Sequence, residues 1–254
     1  MPSFRFLKAL LFALALCGAP AASAQGFSEP QRGEIEKIVR DYLLSHPEVL
    51  EEVSAELSKR QAAAETLKHE AAVTKNAQAI FSSPRGVTVG NKDGDVTFVE
   101  FFDYNCGYCK RAMTDMLELM KSDSKLKVVL KEFPVLGPGS VEAAQVAVAV
   151  RMQDPTGKKY LDFHQKLLNG RGQADKARAL AAAKEAGLDM AKIDKDLASP
   201  EVRATLEENF KLAEDMGMNG TPSYVIGKQV VIGAVGVDNL REKIGIARCG
   251  KAVC

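Results

Sequence analysis

Long apolar runs are missing from this 254-residue chain once its first two dozen residues are passed, and so is any charge excess. No later stretch reaches the ~20 continuous apolar residues that a membrane-spanning helix needs. The formal net charge is only +1, which leaves no basic surface for nucleic acid and none for an anionic membrane. Histidine is scarce: His46, His69 and His164 stand far apart and make no zinc-ligand spacing with the cysteines. Cysteine is sparse too, with five in all, and internal repeats and low-complexity tracts are absent.

What is present begins with a targeting pattern. Arg5 and Lys8 form a basic n-region, Ala9 to Leu16 an apolar h-region, and Ala22-Ser23-Ala24 a small-residue cleavage site. Residues 1–24 are therefore expected to be a signal peptide, with the mature chain starting at Gln25. Cys17 raises a lipoprotein alternative, against which bulky Leu16 speaks. Without the two leader charges the count is 32 basic to 33 acidic residues, close to neutral. Cys106, Cys109, Cys249 and Cys254 then remain, an even number that suits an exported protein in an oxidising compartment, a periplasm being expected.

One stretch organises the rest. Val96 to Phe102 is a β-branched and aromatic run fit for a buried strand, while Met113, Met116, Leu117 and Met120 follow helical i, i+3, i+4, i+7 spacing. Cys106-Gly107-Tyr108-Cys109 falls between them, at a strand-to-helix turn. Free N–H groups and the helix dipole favour a thiolate there, and a thiolate is the attacking species in disulfide exchange. Half of a zinc site or a purely structural disulfide are the bland alternatives. Cys249 and Cys254 bracket four residues of a tail without periodicity; a structural disulfide is expected, with a regulatory or metal-binding thiol pair as the other reading.

Residues 25–82 read as charged helix with a thin apolar stripe. Ile35, Ile38, Val39, Tyr42 and Leu43 precede a junction at Ser45-His46-Pro47, with Ser45 expected as N-cap of the next helix; Leu50, Val53, Leu57, Ala64, Leu67 and Ala71 follow. So sparse a seam fits self-association, and packing back on the same chain is the alternative. Ser82-Ser83-Pro84-Arg85-Gly86 breaks the pattern and opens a second domain, 83–254. Val87–Val89 forms a short strand, Asn91–Asp95 a hairpin or turn, and Leu126–Phe133 the strand that completes a β–α–β unit with a right-handed crossover. Four or five helices are expected over about 138–217, broken at Gly157, Gly170–Gly172, Gly187 and Ser199-Pro200. Two short strands around Gly227-Lys228-Gln229 and a final helix close the chain. His164 shares a helical pattern with Tyr160, Phe163 and Leu167 and reads as a packed residue.

This order, with Cys-x-x-Cys after the second strand and Thr221-Pro222 before a hairpin, resembles the thioredoxin fold. The helical insertion, together with Val99-Glu100-Phe101-Phe102-Asp103, Phe133-Pro134-Val135-Leu136-Gly137 and Gly220-Thr221-Pro222, is similar to the DsbA-like family of exported disulfide oxidoreductases. The helical extension resembles that of ScsC-type members. The implied fold class is α/β: a thioredoxin fold with an inserted helical domain behind an N-terminal helical oligomerisation segment. The resemblance implies Cys106 as nucleophile, Cys109 as resolving thiol and Pro222 as a cis proline. Gly107, Tyr108, Thr221 and Pro222 would meet substrate. Glu100 and Lys131 match a buried acid–base pair beneath the site, for which a plain strand-end salt bridge is the alternative. No cofactor is implied. Gly107-Tyr108 and Thr221 resemble the disulfide-isomerase pattern, so an oligomeric isomerase or reductase acting on exported cysteine-containing proteins is expected. Its membrane partner would be DsbD-like, or DsbB-like if the protein is instead a dithiol oxidase; a copper(I)-binding thiol protein is a third possibility.

Overall fold

The computed structural model describes residues 26–254; the signal-peptide and Cys17 readings lie outside them. Two compact units divide at Leu57 and Ser58, inside a helix.

The first unit opens with α1 (Glu29–Ser45), started by Ser28, whose N–H donates to Gln31 Oε1 at 2.9 Å, and by Pro30 in the first turn. Its end corrects one expectation. Ser45 does not cap the following helix; its hydroxyl donates to the Asp41 carbonyl at 2.7 Å, one turn back within α1, and His46 is the C-cap. Helix α2 (Glu48–Lys75) starts directly after Pro47. Ile38, Val39, Tyr42, Leu44, Leu50, Val53 and Leu57 are all exposed.

The second unit takes up α2 from Ser58 onward and α3 (Ala77–Phe81). Val73 and Ile80 are buried in it, so the packed body reaches further toward the N-terminus than the Ser82–Gly86 break. Its sheet contains β1 (Val87–Gly90), β2 (Val96–Phe102), β3 (Leu126–Glu132), β4 (Ser223–Ile226) and β5 (Gln229–Ile232), in the order β1-β3-β2-β4-β5. Strands β2 and β3 are parallel, joined by α4 (Gly107–Ser122); every other neighbouring pair is antiparallel. Asn91–Asp95 is a turn rather than a hairpin loop, because β1 pairs with β3 and the chain must cross to reach β2.

Five helices stand between β3 and β4: α5 (Pro138–Gln153), α6 (Lys158–Asn169), α7 (Lys176–Glu185), α8 (Met190–Leu197) and α9 (Pro200–Asp215). Helix α5 is rich in Ala and Val and buried from Val146 through Val150, as befits a helix enclosed by its neighbours. Gly157 starts α6 with φ +72°, and a Cβ there would lie 2.2 Å from the Thr88 carbonyl of β1. Ser199 caps α9 by accepting the Glu201 N–H at 3.2 Å, with Pro200 behind it. Helix α10 (Val237–Cys249) ends the fold.

Both faces of the sheet are covered, so the central strands show no in–out alternation. Phe98, Phe102, Val128 and Leu130 face one core with Met113 and Met116 of α4 and Phe163 of α6. Val99, Phe101, Val129 and Phe133 face the other, with Val73, Ile80, Leu212 and Met216.

Candidate active site

Strand β2 ends at Phe102, and the turn Asp103-Tyr104-Asn105 delivers Cys106 to the N-cap of α4. Cys106 has the extended backbone of an N-cap, with φ −85° and ψ 112°, and its Sγ accepts the Cys109 N–H at 3.3 Å. Across the gap the Cys106 thiol donates to the Thr221 carbonyl at 3.2 Å. The Thr221–Pro222 peptide is cis. Both thiols are free, Cys109 fully buried and Cys106 at 7 % exposure.

Their environments drive them apart. A hydrogen bond from the Cys109 thiol, aided by the Thr221 side chain and backbone N–H groups, pulls Cys106 down to about 6 against its partial desolvation. Burial pushes Cys109 well above the ordinary thiol range, and the Cys106 and Glu100 side chains push the same way. The pair therefore offers one ready thiolate and one thiol that attacks only when a base relieves it of its proton.

Glu100 is the buried carboxyl coupled to both sulfurs. It is 2 % exposed, and desolvation first, then the charges of Asp115 and Cys106, raise it to about 8. Among the described residues its Oε2 and the hydroxyl of Tyr224, both buried, have no hydrogen-bond partner, and Glu100 and Tyr224 lie directly opposite each other in the β2–β4 ladder.

Lys131 is not its partner. Glu100 pairs in register with Leu130, and Lys131 with Phe101, so the two charged side chains leave the sheet on opposite faces. The Lys131 ammonium, fully buried, lies 3.5 Å from Glu208 and 3.4 Å from Asn209 Oδ1, both on α9. The expected acid–base pair is corrected: among the described residues Glu100 has no cation as partner, and Lys131 belongs to an ion-pair cluster with Glu208 and Arg85, whose guanidinium is 3.0 Å from Glu208.

Gly107 opens α4 with nothing near enough to meet a Cβ, and Tyr108 is 58 % exposed with the Arg111 guanidinium 4.6 Å from its ring centre. With the Thr221 carbonyl they form the rim around Cys106. Cys249 and Cys254 lie far along the chain in an exposed disulfide at the end of α10. Among the described residues no group of three or more His, Cys, Asp or Glu could hold a metal ion. His164 is buried against Phe102 and Tyr104, its Nδ1 3.3 Å from the Tyr104 hydroxyl, and burial lowers it to about 3.

Sequence reasoning passed over Asp103, Asn105 and Ser140. Asp103 is buried and accepts four hydrogen bonds: at Oδ1 from Asn105 N–H (2.8 Å) and Ser140 O–H (2.7 Å), and at Oδ2 from the N–H groups of Val135 (2.8 Å) and Leu136 (2.9 Å). Two Asx residues flanking the approach to a cysteine are the signal that was available, since such side chains fix turns by bonding local backbone.

Comparison with known proteins follows the division seen in the chain. Residues 97–245 match the DSBA-like thioredoxin domain, and residues 31–64 match the copper resistance protein ScsC N-terminal domain. A thioredoxin-like oxidoreductase from Silicibacter pomeroyi is 40 % identical with a TM-score of 0.64, over 67 % of this chain and 96 % of that one. A linker-deletion variant of Proteus mirabilis ScsC is 29 % identical with a TM-score of 0.65, over 89 % of this chain and 98 % of that one. Among curated sequences, the Na(+)/H(+) antiporter NhaA 1 of Salinispora arenicola is 24 % identical over 163 residues, 63 % of this chain. The chain spans only 24 % of that antiporter's length.

Proposed function

The chain belongs to the DSBA-like thioredoxin-domain family and carries a ScsC N-terminal domain, and from that premise we propose that it is a periplasmic thiol–disulfide oxidoreductase working as an oligomeric isomerase or reductase. The observation that carries the reading is the asymmetric pair: Cys106 at the N-cap of α4, accepting the Cys109 N–H and lowered to about 6, and Cys109 fully buried and raised by burial and by Glu100.

The chemistry balances on these groups. The Cys106 thiolate attacks one sulfur of a substrate disulfide; that bond breaks, the leaving substrate sulfur takes a proton, and a mixed disulfide forms. Thr221 presents the carbonyl along which an extended substrate segment lies, and Pro222, whose own carbonyl is taken by Gly233, holds the loop. Cys109 then yields its proton to the Glu100 carboxylate and attacks Cys106 Sγ, releasing the second substrate thiol. The substrate is reduced by two electrons and the Cys106–Cys109 pair oxidised. In isomerisation, a different substrate thiol resolves the mixed disulfide and the protein pair stays reduced.

Two features favour this direction over net oxidation. Gly107 and Tyr108 supply no imidazole to stabilise the thiolate further, so the couple is less oxidising than one with histidine there. The exposed apolar residues of α1 and α2 offer a seam for self-association, which would hinder docking by a re-oxidising, DsbB-like membrane protein while a DsbD-like one keeps the pair reduced.

Recovery of activity from scrambled ribonuclease, set beside oxidation of reduced ribonuclease, separates the readings. Isomerisation is expected to dominate; oxidation without isomerisation overturns the proposal. Light scattering of the mature chain and of a chain begun near Ser82 tests self-association, which falls if both are monomers.

A further inference from the structure

The residue immediately before the candidate nucleophile donates its backbone N–H to Asp103 but turns its side chain to the helical insertion. Asn105 Nδ2 donates to the Ala174 carbonyl (2.9 Å) and to Ser140 Oγ (2.9 Å), while its Oδ1 accepts the Ala174 N–H (2.7 Å). Both backbone groups of Ala174 are thus taken by one side-chain amide, as a strand neighbour would take them. Ala174 is itself fixed: it is buried, and the next residue, Asp175, caps α7 by accepting the Arg178 N–H at 2.9 Å. Ser140, in the first turn of α5, donates its hydroxyl hydrogen bond to Asp103, which also accepts the Asn105 N–H, closing a ring around the turn. The Cys106 N–H donates to the Asp103 carbonyl at 3.1 Å, so the same turn sets the cysteine backbone.

Resting on the thiol-exchange reading, we propose that Asn105 is a positioning residue: by clasping Ala174 and Ser140 it locks the Cys106 turn to the helical insertion and so holds Sγ in line with the Cys109 N–H. Reactivity at Cys106 depends on that alignment, because hydrogen bonds to a thiolate favour it only when their donors point at the sulfur. The insertion then is not merely a neighbour of the site. It is one jaw of the clamp that shapes it.

The test is the pH dependence of iodoacetamide alkylation of Cys106 in the reduced protein, with urea unfolding of the same samples. Asn105→Ala and Ser140→Ala alter no charge, so any shift reports geometry. Asn105→Ala is expected to raise the apparent Cys106 pKa by about half a unit or more, and Ser140→Ala by less in the same direction. Should Asn105→Ala fail to fold, Ser140→Ala decides. Folded variants that unfold at lower urea yet titrate like the parent make Asn105 merely structural and overturn the proposal. A parent Cys106 that titrates as an ordinary thiol overturns both this proposal and the exchange reading. A parent with a low pKa that cannot reduce any disulfide, and whose variants still shift, overturns the exchange reading alone.

Discussion

Both faces of the sheet bury charged side chains, and Glu100 and Lys131 are treated in opposite ways. On the face toward the cysteines, where Glu132 is buried too and accepts from the Tyr160 hydroxyl, Glu100 has no cation against it among the described residues and is pushed up to about 8. On the other face Lys131 meets Glu208 and Asn209, and the ion pairs continue to Arg85. A buried charge with a partner is committed to one protonation state, whereas a buried carboxyl without one exchanges its proton near neutral pH. In the proposed mechanism the first face moves a proton, while the ion pairs of the second tie α9 to the sheet.

The largest effect comes from removing what the first face serves. Cys106→Ser should abolish disulfide exchange, and Cys109→Ser should accumulate mixed disulfides visible on non-reducing gels; a Cys109→Ser protein that turns over normally would overturn the resolving role. Next is Glu100→Gln, which keeps shape and removes the base. Resolution by Cys109 should slow about tenfold or more at pH 7, read by quenched-flow of the mixed disulfide. Its stability effect has a defined sign. Glu100 is raised above its unfolded value of 4.5, so its contribution is full below pH 4.5 and is lost as pH rises through about 8. Glu100→Gln should therefore gain relative to the parent from pH 5 to pH 9, by on the order of 3 kcal/mol.

Lys131→Met breaks the other face. Loss of about 2 kcal/mol in urea unfolding is expected, because Asn209 loses a donor while Glu208 keeps Arg85, with exchange rates unchanged. A rate loss matching that of Glu100→Gln would join the two residues functionally after all. The smallest effect sharpens the picture of the catalytic face, which also buries His164 uncharged. Its folded value, lowered to about 3 from 6.5, means stability is held above pH 6.5 and lost as pH falls. Between pH 6.5 and 5.5 the parent should lose about 1 kcal/mol that His164→Gln does not.

Much of this was readable in the residues themselves. Cys106 and Cys109 announce their turn because a β-branched run ends and a helical spacing begins on either side. The glycines at 157, 170, 172 and 187 and the Ser199-Pro200 step mark helix breaks by local chemistry alone. What could not be read is facing. Val96–Phe102 and Leu126–Glu132 are buried on both sides, so no alternation reveals which neighbours share a face, and a shift of one residue in register reverses the answer. Glu100 and Lys131 were separated by that single step. The partner of β1 was equally hidden, because a turn such as Asn91–Asp95 serves a hairpin or a crossing equally well. Asn105 went unnoticed because its partner, Ala174, is a backbone group distant in sequence.

The ordering of the strands has a consequence for life among unfolded chains. A sheet that ends in long, open strands templates the addition of others, a hazard for any protein that meets substrates before they fold. Here one border, β1, lies against the Gly157 turn, so close that even a methyl group would strike Thr88. The other, β5, is only four residues long, and Gly233 after it takes φ +90° and donates its N–H to the Pro222 carbonyl at 2.8 Å. Between them the two borders leave almost no free edge on which another extended chain could add.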